Sequence, residues 1–224
     1  MIKTSPRFGA YPLRRFKNET WFFDLYSYLE LRYVSISERL AQTFRYVDLH
    51  PANKDAFSYE YASLLRDIGS IISSVLDKFL SNVNGGKDRG FYNIDNFRSF
   101  LLSEIEDIEN VRVVLNVVYT HSSLFPFEGI KGDNHILQWW KAFTDIKHSD
   151  IECIDEGCQS NVIYAYTALT VLYASLSEPI IHWEGVSSKI IHSVNSIVTK
   201  DKKPYYKYPK AERPMYLHDK KRWW

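Results

Sequence analysis

The chain has 224 residues, 45% hydrophobic and 25% charged, which is the composition of an ordinary globular domain with one good core or a core plus a small appendage. Nine glycines and eight prolines are too few for a sandwich or barrel built from many tight turns, and no uninterrupted apolar run reaches membrane-spanning length. The net charge of +1 hides a division: residues 1–18 carry five basic side chains and no acid, residues 200–224 carry nine basic against three acidic, and the body between them has fourteen basic against twenty-four acidic.

An acidic body with two basic, aromatic-bearing ends suits an anionic polymer bound through those ends, and equally suits two solvated arms. The opening Met-Ile-Lys-Thr-Ser-Pro-Arg has no apolar signal region. Cys153 and Cys158 stand five apart with no His or Cys at ligand spacing, so a zinc site is not expected. They read as reduced thiols of a cytoplasmic protein, with no cofactor implied.

Residues 1–18 read as an irregular arm, broken at Pro6, Gly9 and Pro12, with Arg14, Arg15 and Phe16 able to clamp it to the body. Residues 19–199 read as the helical domain. Leu29, Tyr33, Ile36, Leu40, Phe44 and Val47 recur at helical spacing and predict a first long helix ending near Asp48, before Pro51. Trp21-Phe22-Phe23 either opens that helix or forms a separate turn. Ser58 suits an N-cap with Glu60 in the first turn, and Tyr61, Leu64, Leu65, Ile68, Ile71, Ile72, Val75, Leu76 and Phe79 give the second helix a wide apolar stripe. Helices one and two are expected to pair antiparallel.

Gly85-Gly86 marks a break. Asn93 or Asp95 can cap a third helix holding Phe97, Phe100, Leu101, Ile105 and Ile108, whose terminal acids oppose its dipole. Val111 to Tyr119 is β-branched, but a strand alone among helices has no partner, so helix or extended coil is expected; 121–133 reads as a loop. The next helix runs to His148. After a loop, a helix follows with Val162, Tyr166, Leu169, Leu172, Tyr173 and Leu176 and small Ala165, Ala168 and Ala174 between them. Residues 180–199 suit a helix or a strand pair, and the tail from Lys200, with Pro204, Pro209 and Pro214, is expected to be extended.

The only constellation with chemical content is Trp139-Trp140-Lys141-Ala142-Phe143-Thr144-Asp145-Ile146-Lys147-His148. On a helix, Lys141, Asp145 and His148 share one side, while Trp140, Phe143 or Thr144, and Lys147 lie on adjoining ones. Trp139 and Trp140 can be packing anchors or base-stacking platforms. His148 with Lys147 can be a dipole-matched helix end or part of a site. Asn161, in the first turn of the next helix, can face the site or hold the loop.

This Trp-Trp-x-x-Phe-Thr-Asp-Ile-Lys-His stretch, with Asn161 before an Ala/Leu-rich helix, resembles a group of bacterial HEPN-like proteins. Their pattern reads Trp-Trp, then Tyr-Asn-x-x-Lys-His, then a downstream Asn. The resemblance spans roughly residues 25–178. It implies an all-α antiparallel helical bundle that dimerises. Catalytic members cut RNA without metal at the dimer cleft, using an Arg followed after four to six residues by His. Such proteins belong to defence or toxin–antitoxin systems, with a cognate antitoxin or nucleotidyltransferase as partner. Carried over, His148 is the acid/base, Lys141 or Lys147 the cation, Asp145 the orienting group, and Trp139, Trp140, Thr144 and Asn161 the surrounding contacts. Histidine exchanges protons nearest neutral pH, and a fixed cation stabilises charge on a phosphate in the transition state. This chain departs from the pattern: Lys141 replaces the Arg, without its planar fork, and Thr144 stands at the Asn position. The other expectation is a non-catalytic helical module that binds nucleic acid or a partner protein.

Overall fold

The computed structural model describes Leu13 and residues 16–83, 93–105, 107–117, 120–132, 137–149, 152–176 and 195–199. Most of the basic N-terminal arm, residues 177–194 and the C-terminal tail lie outside these, and with them the expectations made for those stretches. The protein is mostly helical, as the periodicities predict.

Helix α1 spans Thr20–Thr43 and opens with the Trp21-Phe22-Phe23 run. Leu25, Leu29, Ile36 and Leu40 are buried along it. It ends several residues short of Asp48. Thr43 Oγ1 donates to Leu40 O at 2.7 Å, and the chain tightens through Arg45 N to Gln42 O, so Phe44 and Val47 lie in turns. Helix α2 spans Tyr59–Val83, and its whole predicted stripe is buried. Ser58 Oγ accepts from the Tyr61 N–H at 3.1 Å, satisfying one of the orphan donors of the first turn.

The start of α1 lies against the end of α2, where Trp21 meets Phe79 edge-on at 5.2 Å and Phe16 joins them. Its later turns lie against the start of α2, where Arg39 bonds Glu60, Ser63 and Asp67. Burial works to lower the Arg39 guanidinium, but the hydrogen bonds to Asp67 and Glu60 outweigh it and hold it above its ordinary value.

Helix α3 (Ile94–Glu104) is capped by Asn93, whose side chain accepts from Asn96 N while Asn96 Oδ1 accepts from Asn93 N, both at 3.0 Å. It ends on Glu104, one of the acids that oppose its dipole, and does not continue to Asp107 and Glu109. Asp107 takes a left-handed φ of 54°, and Ile105 and Ile108 are buried beyond the helix.

The expectation of helix or coil at 111–119 is overturned. Arg112–Val117 forms strand β1, paired antiparallel with β2 (Thr120–Leu124) on one side and β3 (Asn195–Thr199) on the other. The partners were hidden because β2 reads Thr-His-Ser-Ser-Leu, polar enough for a loop, while β3 is remote in sequence. Val113 and Leu115 are completely buried, so the sheet contributes to the core.

Helix α4 spans Gln138–His148, and α5 spans Gln159–Leu176. From Asn161 to Leu176 only Tyr164 is less than buried, which makes α5 the central helix, in contact with α1, α2, α4, β1 and β3. α2 and α5 start side by side: Phe57 pairs with Cys158, and a Cβ on Gly157 would meet the Ala62 backbone at 2.7 Å. Gln159 Nε2 donates to Asp48 O and Tyr61 Oη, pinning the α1–α2 link to the head of α5. No helix among the described residues is long and apolar enough to cross a membrane.

Candidate functional site

The inner side of α4 is an anchor. Trp139 is 3% exposed and donates its indole N–H to Pro126 O at 2.8 Å. Its ring meets Trp140 edge-on at 5.5 Å, and Trp140 in turn meets Phe97 and Phe143. Both tryptophans are buried and packed edge-on against each other, the arrangement of packing anchors. Phe143 seats on Gly69 of α2. Beside the tryptophans, Ile72, Leu76, Phe97 and Leu101 line a small apolar gap with almost no polar surface.

The outer side carries the ionic groups. Lys141 Nζ and Asp145 Oδ2 are 2.5 Å apart, the i,i+4 pair expected on this face. The hydrogen bond to Asp145 raises the Lys141 ammonium above its ordinary value, followed by the charge of Asp145; Glu156 and Cys153 add to it. Across the following loop, burial pushes the Cys153 thiol up, and Asp145, Asp155, Glu152 and Glu156 push it further. The surroundings of Lys141 are therefore acidic. A thiol held in that field is a poor nucleophile.

Lys147 is exposed, with its ammonium 5.7 Å from the Phe143 ring centroid. Its charge partly offsets the upward push that burial gives the Asp77 carboxyl on α2. His148 is exposed at the last position of α4, where a cation suits the dipole. Thr144 is half-buried and donates to Trp140 O at 2.9 Å, an ordinary helix back-bond. Asn161 donates to both Glu156 O (2.9 Å) and Glu156 Oε2 (3.1 Å), so it holds the loop ahead of α5. It thereby fixes one of the acids that act on Lys141.

Glu156 and Cys153 escape sequence reasoning because a loop separates them from α4. A second cluster was also missed. Tyr33 stacks between Tyr173 (4.6 Å) and Tyr166 (5.6 Å), and Tyr26 stacks on Tyr173 (6.2 Å). Ser37 and Thr170 bond Tyr166 and Tyr33, and Glu30 accepts from Tyr26 and Tyr173. The available signal was the seven-residue spacing of Tyr26 and Tyr33, matched by Tyr166 and Tyr173. This cluster joins α1 to α5. Its buried hydroxyls are matched to one another, which is the way a polar group is tolerated inside a core.

Among the described residues no group of three or more His, Cys, Asp or Glu side chains is placed to hold a metal ion. Compared with protein-family models, curated proteins and solved structures, the chain matches none of them.

Proposed function

We propose that this chain is a non-catalytic helical interaction module, an antiparallel bundle of HEPN-like kind that keeps its Trp-Trp to Lys-His helix for structure. The observation that carries this is the state of Lys141. Its ammonium is already paired with Asp145 at 2.5 Å and lies within the field of Glu156. A cation so neutralised, on a face rich in acids, offers little to an RNA phosphate or to charge developing in a transition state. The two tryptophans and Asn161 are committed to packing and to loop structure.

One observation favours a second reading, a metal-independent ribonuclease acting as a homodimer in a defence or toxin–antitoxin system. His148 is exposed rather than sealed in the core, and the exposed Lys147 precedes it directly. Incubating RNA with the protein in EDTA separates the two. The module leaves RNA intact. The ribonuclease cleaves it, and loses that cleavage in His148→Ala with the helical circular dichroism unchanged.

A further inference from the structure

The apolar gap beside the tryptophans has one charged side chain on its wall, Arg98 of α3. The gap lies between α2, α3 and the head of α4, and the loop from Pro126 to Gly132 completes it through Phe127 and Ile130. That loop is held from three directions. Trp139 donates to Pro126 O, and Glu109 Oε1 accepts from the Gly129 N–H at 3.1 Å. Arg98 donates from Nε to Ile130 O at 2.6 Å, and from Nη2 to Lys131 O at 3.0 Å and Gly132 O at 2.8 Å. Because Ile130 also lines the gap, the guanidinium stands at its rim. Among the described residues, Nη1 has no hydrogen-bond partner and no carboxylate lies within ion-pair distance of Arg98. The surrounding charges are otherwise placed. Lys131 Nζ is 3.6 Å from both Asp107 and Glu109, while Asp95 and Glu128 are exposed and do not pair with Arg98. A rigid cation thus borders an apolar hollow.

We propose that this gap binds a slender monocarboxylate, a short unbranched fatty acid, with its chain between the tryptophans and α3 and its carboxylate on Nη1 of Arg98. The inference goes beyond the module reading and does not depend on it. Small-molecule sites are hollows lined mainly by apolar side chains, with a few fixed polar groups that orient the ligand. Leu76, Leu101, Phe97 and the two tryptophans supply the first part, and Arg98 supplies the second. A guanidinium already tied to three carbonyls loses little freedom when it takes one more acceptor, so the bond to a carboxylate is made at low entropic cost. That bond joins two opposite charges, which makes it stronger than a neutral one. The charge of Arg98 selects an anion over a neutral or cationic head. The enclosed part of the gap is small, which admits an alkyl chain and excludes a fused ring.

The test is a titration of the full-length protein with octanoate, followed by calorimetry and by the indole N–H signals in NMR. Octanoate should bind saturably, one per chain, and move the Trp139 indole signal. Hexanoate should bind about tenfold more weakly, at about fourfold for each lost methylene. Octylammonium, the same chain with the opposite charge, should also lose about tenfold or more. Leu101→Phe fills the gap without touching Arg98 and should abolish binding, with circular dichroism as the fold check. Arg98→Lys keeps the charge but not the fork, and should weaken octanoate by about tenfold. The comparison of ligands on the wild-type protein stands whether or not either variant folds. Absence of saturable octanoate binding, octylammonium bound as tightly as octanoate, or full affinity in a folded Leu101→Phe or Arg98→Lys overturns the site. The module reading fails on a different readout, RNA cleavage that depends on His148.

Discussion

The ring of Phe143 occupies the space that a side chain at Gly69 would need: a methyl group there would fall 2.3 Å from two of the ring carbons. The focal helix therefore docks on α2 through a position that admits only hydrogen. Alanine is the better helix former by about 1 kcal/mol, so propensity alone makes Gly69→Ala stabilising. The clash should win. Gly69→Ala is expected to destabilise by about 1–3 kcal/mol in urea unfolding, and adding Phe143→Leu should recover part of the loss.

Trp139 offers a separate test of the anchor. Its indole N–H satisfies Pro126 O at a buried position. Trp139→Phe keeps an aromatic ring but leaves that carbonyl without its donor and a small void beside it. The expected cost is about 1–3 kcal/mol in urea unfolding. A change within about 0.5 kcal/mol would mean that the tryptophan is not a structural anchor.

The tyrosine cluster predicts a pH dependence. Burial first, then the neighbouring Tyr33, holds the Tyr166 hydroxyl well above its ordinary value, and burial with Tyr26 does the same for Tyr173. A folded-state value raised above the unfolded one means that the unfolded chain loses its proton first. The stability this provides is complete below about pH 10 and declines as pH rises beyond it. Tyr166, kept protonated by burial while the unfolded chain ionises, contributes to that decline. Urea unfolding between pH 9 and 11.5 should show the decline, and Tyr166→Phe should flatten it. A wild-type profile level across that range would contradict the burial of these hydroxyls.

How far the sequence reaches depends on the range of the interactions. The α2 stripe, the Ser58 and Asn93 caps and the Lys141–Asp145 pair all lie within a few residues of one another, so periodicity and spacing reveal them. The sheet does not show itself, because β1 finds its partners in the polar run Thr120–Leu124 and in a segment some eighty residues away. Likewise, α4 displays its own charges in sequence, but not the acids at 152–156 that the fold places around Lys141. The Trp139 to His148 stretch lies on the single helix α4. The burial of its side chains, which decides between stacking and packing, is a property of the tertiary contacts with Phe97, Phe127 and Gly69.

The electrostatic state of Lys141 is measurable on its own. Its hydrogen bond to Asp145 is the first cause of its raised ammonium pKa, so Asp145→Asn should bring the value down. An NMR titration of the Lys141 side-chain resonances, with Lys147 followed in the same spectra, would detect the change. No movement at Lys141 would mean that the pair does not persist in solution, and the cation would then be available to an anion.

The central proposal is that the Trp-Trp to Lys-His helix is a structural element whose Lys141 ammonium is paired with Asp145. RNA cleavage by the purified full-length protein in EDTA, run beside His148→Ala, tests it most directly. The account predicts intact RNA with both proteins. Cleavage by the wild-type protein that disappears in a correctly folded His148→Ala would contradict it and establish a metal-independent nuclease.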